Sequence, residues 1–303
     1  VPWDEASRVK SQYHTVYALL GVAAATVANR PGAHELLETM LQEQKDYWID
    51  DYGLVWDQYD EAFTEPVPVH ALGTLIHTIE AYMAAAEATT EPEWLDRAEK
   101  MTAFAYKVAS KNNWRIPEYY DEEWQPSLEA GKLCNDGRRY HEGYVTGHSM
   151  QLARFALQVR AGLRSTGWAV PDYLLEMGTE LFERARVDGW RRTDGNPGFS
   201  TGVNDEGDPV PGEDEHQQWV VCEGVCATVA VRRAMLDDGH RIDEVEHFEH
   251  CYRSFVDYIH DYLIAQPGRW IRRLGPHNES VQPAKSSRWD VYHAIQAMLA
   301  IRV

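Results

Sequence analysis

Three short stretches of this chain place titratable side chains where a loop runs into a helix, and each carries residues suited to moving protons. In "YVTGHSMQLARF", residues 144 to 155, His148 follows Gly147 and precedes a run with helical apolar spacing. In "EDEHQQWVVCEG", Glu223 lies four residues after Trp219 and seven after His216, so a continuous helix projects all three on one face. In "SSRWDVYHAIQAML", His293 lies three residues after Asp290 and begins the last apolar run. Histidine titrates near neutrality without large perturbation, which suits a general acid or base. An imidazole or carboxylate on an apolar helix needs a partner or a water-filled pocket, because burial without one costs several kcal/mol. Taken singly, each has a packing explanation: His148 as a first-turn ring, Glu223 paired with an arginine of a neighbouring helix, His293 bonded to Asp290 or to a backbone carbonyl. Their shared position after a loop favours an acid–base site.

The elements that must hold these residues are helices. Apolar residues recur at three- and four-residue spacing in "YHTVYALLGVAAATVA", "HALGTLIHTIEAYMAAAEA", "WLDRAEKMTAFAYKVA", "SMQLARFALQVRAGL", "YLLEMGTELFERARV", "QWVVCEGVCATVAVRRAML", "FEHCYRSFVDYIHDYLI" and "VYHAIQAMLAI". Segments rich in Gly, Trp, Asp and Pro separate them. No strand-like alternation is long enough for a large sheet, and no Pro- or Ser-rich linker divides the chain. The pattern predicts one all-α domain over residues 1–303, built from antiparallel helix pairs that close into an α/α toroid. Its inner helices would be apolar and rich in small residues, its outer helices charged on one face, and its long loops would cover a central pocket.

Composition narrows the function. A formal charge of -19, with 48 acidic against 29 basic residues, argues against nucleic acid and anionic membrane as partners. Only seven of those basic residues are lysines, a balance that also fits a host with a salty cytoplasm. Eleven tryptophans and sixteen tyrosines exceed what a core of this size needs, and amphipathic rings line pockets for ligands such as sugars. Cys134, Cys222, Cys226 and Cys251 form no CxxC pair, no apolar run approaches the ~18 residues of a membrane span, and the first residues do not resemble a signal peptide. A soluble cytoplasmic protein with reduced thiols is the expectation. "HELLE", from His34 to Glu38, lacks the second histidine of a zinc HExxH helix. His247, His250 and Cys251 have a spacing that could bind a transition metal but read better as the edge of an outer helix. No Walker loop, GxGxxG after a strand or GxSxG elbow occurs. No metal site and no nucleotide cofactor are expected.

With those residues in place, the chain resembles the N-acylglucosamine 2-epimerase superfamily, and within it the mannose isomerase and aldose–ketose isomerase branch. The resemblance rests on "PEYYDEEWQP", "GHSMQLARFAL", "GWRRTDGNPGF", "GDPVPGEDEHQQWVVCEGVCA" and the C-terminal "RWDVYHAIQAML", in this order, and covers the chain from about Tyr13 onward. It implies an (α/α)6 barrel with a sugar pocket and cofactor-free proton transfer at C2 of an open-chain aldose. The histidines of that active site match His148 and His293, and its helix glutamate matches Glu223. Substrate contacts are expected from Gln12, Trp56, Gln151, His216, Trp219 and Asp290. The products would be a ketose or a 2-epimer, and the protein a monomer or homodimer.

Departures from the family pattern bear on the substrate. Gln12 stands where the family has an arginine on its first inner helix, Gln151 where it has a glutamate, and Ser287-Arg288 where it has Gly-Lys. His216 is the nearest candidate for a histidine expected beside Glu223. The first helix of the ring is expected to be lacking, leaving the ring incomplete or closed by a neighbour. Two other readings compete. An α/α-barrel glycoside hydrolase needs two carboxylates about 5–9.5 Å apart, for which Glu223 with Glu118 or Asp121 are candidates. A carbohydrate-binding descendant would keep the aromatic pocket without turnover. Arg138, Arg139, Arg191 and Arg192 lie in loops and would form any local anion site.

Overall fold

The computed structural model of the chain describes residues 8–193, 196–281 and 291–300, without the side chains of residues 191–193 and 196. Its helices are α1 Gln12–Val27, α2 Ala33–Glu43, α3 Leu72–Thr89, α4 Pro92–Lys111, α5 Leu128–Gly131, α6 Thr146–Thr166, α7 Tyr173–Gly189, α8 Gln218–Asp237, α9 Glu246–Tyr258 and α10 Val291–Ala300. Every helix expected from apolar spacing is present. Helix α2 was not among them, and wide π-helical turns follow α2 at Gln44–Trp48 and α9 at Ile259–Leu263. None of the described helices is long and apolar enough to cross a membrane.

Burial separates two kinds of helix. Helix α3 is buried without interruption from Leu72 to Tyr82, and α8 from Val220 to Thr228, so these apolar segments face protein on all sides. Helices α2 and α9 bury only a stripe, Ala33, Leu37 and Leu41 in one and Phe248, Cys251, Phe255 and Tyr258 in the other. That is the amphipathic pattern of a helix with one wet face. Beside the α9 stripe, the exposed His247 has its Nε2 2.6 Å from Glu183 Oε1 and 3.7 Å from Cys251 Sγ. Among the described residues no group of three or more ligand-type side chains is arranged to hold a metal ion.

The starts of four helices are fixed by a repeated backbone clasp. Two residues ahead of each helix pair antiparallel with two residues of a later loop: Lys10–Ser11 with Gln58–Tyr59, His70–Ala71 with Tyr119–Tyr120, Tyr144–Val145 with Gly202–Val203, and His216–Gln217 with Arg273–Leu274. The first helical N–H then donates to the carbonyl just before the partner strand. These bonds run from Gln12 to Asp57 at 3.0 Å, Leu72 to Glu118 at 2.8 Å, Thr146 to Thr201 at 2.9 Å and Gln218 to Arg272 at 2.9 Å. Helices α1, α3 and α8 have no side-chain N-cap, and this donation satisfies one of the amides a Ser or Asp cap would otherwise serve. The partner loops turn back tightly: Asp60, Asp121 and Asn204 each accept a hydrogen bond from the backbone N–H four residues on.

The chain divides into two compact units. The first comprises Val1–Lys107, Pro117–Tyr140 and Gly162–Trp168, the second Val108–Ile116, His141–Ala161 and Ala169–Val303. In the first, α1 packs along α3; in the second, α8 packs against α7, α9 and α10. Each unit contains two of the clasped helix starts, those of α1 and α3 in one, those of α6 and α8 in the other.

Candidate active site

In the second unit, α6, α8 and α10 bring five of the expected residues, His148, Gln151, Trp219, Glu223 and His293, together with one that the sequence reading passed over. The added residue is Arg154. Its Nε donates to Glu223 Oε2 at 3.1 Å and its Nη2 to Oε1 at 3.2 Å, a fork that occupies both carboxylate oxygens. Glu223 is fully buried and Arg154 is 6% exposed, so this is an interior ion pair whose partners depend on each other. The guanidinium also lies 4.2 Å from the ring centroid of Phe155. An arginine inside the apolar run "SMQLARFAL" was the available signal, since such a residue on a buried helix requires a carboxylate.

Gln151 adds a third donor. Its Nε2 approaches Glu223 Oε1 at 3.4 Å, and its own Oε1 is buried with no hydrogen-bond partner among the described residues. His293, third residue of α10, places Nε2 3.8 Å from Glu223 Oε1, beyond a hydrogen bond but within strong Coulomb range. The floor of the site is therefore a paired carboxylate with one imidazole directed at it.

Trp219 links the two histidines. Its ring centroid is 5.3 Å from that of His148, at an interplanar angle of 44°, and 5.6 Å from that of His293, at 43°. Both histidines and the indole are half-buried. The Gly147-His148 pair has a physical cause here. A Cβ on residue 147 would lie 2.3 Å from the Trp219 ring, so only glycine lets the indole rest over the start of α6. Trp219 is oriented by its Nε1, which donates to Gln217 Oε1 at 2.9 Å.

Other expected residues sit elsewhere. His216 belongs to the clasp ahead of α8, because pairing with Leu274 keeps it and Gln217 extended, so it does not share a helical face with Trp219 and Glu223. It is 4% exposed, its Nδ1 donates to Asn278 Oδ1 at 2.9 Å, and burial pushes its pKa below the ordinary value against that hydrogen bond. Gln12 and Trp56 belong to the first unit. Gln12 is fully buried with its amide bonded to that of Gln44, which also accepts from Tyr82, and Trp56 stacks on His70. Asp290 and the Ser287-Arg288 pair lie outside the described residues, as do the side chains of Arg191 and Arg192. Arg138 is held by Asp57, Asp136 and Thr74 rather than left open for an anion. Of the carboxylates considered for hydrolysis, Glu223 has both its oxygens engaged by Arg154. Asp121 is used within its own turn, accepting from the N–H groups of Glu123 and Gln125.

Over residues 4–297 the sequence matches the family of N-acylglucosamine 2-epimerase (GlcNAc 2-epimerase), and the chain belongs to that family. It is an enzyme of the isomerase and epimerase class. Among similar proteins, a D-mannose isomerase of Thermobifida fusca is 31% identical over 298 residues, covering 95% of this chain and 68% of that one. A crystal structure of D-mannose isomerase superposes with a TM-score of 0.83 at 22% identity, over 97% of this chain and 72% of the other. The cellobiose 2-epimerase of Spirochaeta thermophila gives 0.75 at 17% identity, over 97% and 70%. The two structural matches establish the fold: all-α, of the (α/α)6-barrel class expected from the sequence.

Proposed function

We propose that this enzyme interconverts an open-chain aldose with its ketose, in the manner of mannose and fructose, by moving a proton between C2 and C1 through a cis-enediol. The observation that carries this reading is the pair of half-buried histidines that both contact Trp219, one of them directed at the Arg154–Glu223 ion pair. The names of its relatives supply the sugar. His293 removes the C2 proton, and the Glu223 carboxylate attracts the positive charge that develops on its ring. His148 serves the carbonyl and hydroxyl oxygens as donor, and Trp219 gives the sugar an apolar face to rest on. Arg154 and Gln151 hold Glu223 in place and act as positioning residues. An acid, a base and an oxyanion partner are what the reaction asks for, and side chains provide all three. Reprotonation at C2 on the opposite face would yield the epimer instead.

The test is proton NMR in heavy water with mannose, fructose, glucose and N-acetylmannosamine. Wild type should yield a ketose or epimer deuterated at C1 or C2, and His293→Gln and His148→Gln should each lose it. Product without deuterium, or full activity in both variants, defeats the mechanism.

A further inference from the structure

The loops that clasp the four helix starts share one turn. In each, the fourth residue donates its N–H to the carbonyl of the first: Phe63 to Asp60 at 3.1 Å, and Trp124 to Asp121, Gly207 to Asn204 and Asn278 to Gly275 at 3.0 Å. That fourth residue is left-handed in all four turns, with φ of 60° at Phe63 and Trp124, 85° at Gly207 and 62° at Asn278. Three of them fill the place by packing. Phe63 meets Trp48 and Tyr59, Trp124 stacks on His70, and Gly207 leaves room for the Arg115–Asp188 ion pair. Asn278 differs, because asparagine tolerates the left-handed conformation and also brings an amide.

That amide joins three segments of the second unit. Its Nδ2 donates to the Pro197 carbonyl at 2.7 Å, and a carbonyl only accepts, so the orientation of the amide is fixed. Its Oδ1 then takes two donors, His216 Nδ1 at 2.9 Å and the hydroxyl of Tyr258, the last residue of α9, at 2.8 Å. Tyr258 and His216 are 3% and 4% exposed, so water is poorly placed to stand in for the amide. The His216 ring also lies against Gly198, where a Cβ would come within 2.1 Å of it. Little room is left for the imidazole to move independently of Asn278.

From His216 the constraint reaches the active site in two steps. Gln217 is the next residue, held extended by its pairing with Arg273, and its Oε1 accepts from Trp219 Nε1 at 2.9 Å. Trp219 in turn contacts the rings of His148 and His293. Starting α8 does not call for this tie, since the Gln218 N–H already bonds to the Arg272 carbonyl. The choice of an amide matters as well. A carboxylate at residue 278 would pair with His216 and favour its charged form, whereas the amide leaves the imidazole neutral, the form that burial also favours. The charged and titratable groups that bear on His216 are Asp214 from its own segment, Glu279 and His277 from the turn, and Tyr258 from α9.

We propose that Asn278 is a positioning residue for the reaction: through His216 and Gln217 it sets the place of the Trp219 indole against His148 and His293. Its effect on turnover rests on the isomerase reading. Its effect on Trp219 rests on the hydrogen bonds alone.

The experiment labels the full chain with 5-fluorotryptophan and follows the 19F resonance of Trp219, assigned through Trp219→Phe. Asn278→Gly keeps the left-handed turn and removes the amide. It should shift the Trp219 resonance and lower kcat by ~10–10²-fold, with much less change in KM. Asn278→Asp keeps an acceptor for His216 and Tyr258, so it should hold the Trp219 resonance near its wild-type position and recover most of kcat. It should also raise the His216 pKa, read from the 15N signals of labelled histidine. A side chain that only stabilises its turn would lower the melting temperature of Asn278→Gly and leave the Trp219 resonance and the kcat of the folded enzyme as they were; that outcome overturns the proposal. Failure of the isomerase reading looks different. Wild type then turns over no sugar and the resonance alone decides, its shift in Asn278→Gly supporting the tie and its constancy overturning it.

Discussion

Each unit contains a tryptophan–histidine assembly, and the two are built in opposite senses. In the first, one histidine lies between two tryptophans: His70 stacks on Trp56 and Trp124 with centroids 5.0 and 4.0 Å apart and interplanar angles of 24° and 16°. Its ring is fully buried, its Nδ1 donates to the Val55 carbonyl at 2.9 Å, and burial pushes its pKa down. In the second, one tryptophan contacts two histidines, tilted by 43° and 44° and half-buried. Near-parallel stacking spends both ring faces on packing and excludes water, whereas the tilted, half-buried rings are not enclosed in this way. The same residue types thus serve a core in one place and, on the proposed reading, chemistry in the other, and the angle and the exposure tell them apart.

The largest effects should come from exchanging those roles. Replacing His293 with Gln is expected to lower turnover by ~10²–10⁴-fold while changing stability by under about 1 kcal/mol. Replacing His70 with Ala should do the reverse, costing about 3 kcal/mol through the cavity left between two indoles with turnover of the folded fraction nearly intact. Kinetics and denaturant unfolding on both variants decide the matter; a His70→Ala enzyme that folds well but does not turn over would erase the distinction. Next in size, Arg154→Met should destabilise by about 3–5 kcal/mol, because Glu223 is then buried without its partner. The double variant Arg154→Met with Glu223→Leu should recover much of that stability and none of the activity.

A smaller effect is expected from Gly147→Ala, whose methyl group must push the Trp219 ring aside, at about 1–3 kcal/mol. Tryptophan fluorescence should report the displacement, and an unchanged spectrum with unchanged turnover would argue against the indole as the shared platform. The smallest concerns pH. The pKa values of His70 and His216 are both lowered by burial, so the unfolded chain takes up protons that the folded rings resist. Their contribution to stability is fully present above pH ~6.5 and is lost as pH falls through their folded values. Each contributes a slope of at most about 1.4 kcal/mol per pH unit. Thermal melts between pH 8 and pH 5 should show a shallower acid limb in His216→Gln than in wild type.

Much of this was readable from residue order. Apolar spacing located the long helices, and the loop-to-helix junctions pointed to His148 and His293. What escaped notice had weak periodic signal. The clasps are two residues long, too short for alternation to register, and so His216 was placed on a helix when backbone pairing holds it extended. Arg154 was absorbed into its apolar run, although a buried guanidinium demands the carboxylate it finds in Glu223. Gln12 aligned with a functional position, yet Gln44 comes from a part of the chain 32 residues away that no local pattern connects to it.

The clasps also bear on how such a chain can change. Each ties the first turn of a helix to the base of a loop, through two strand residues and one amide, and leaves the tip of that loop out of the joint. Residues can be added to or removed from a tip while the joint below keeps its register, so the side chains on the helix stay where the chemistry needs them. Loop length and helix phase can then vary independently of each other.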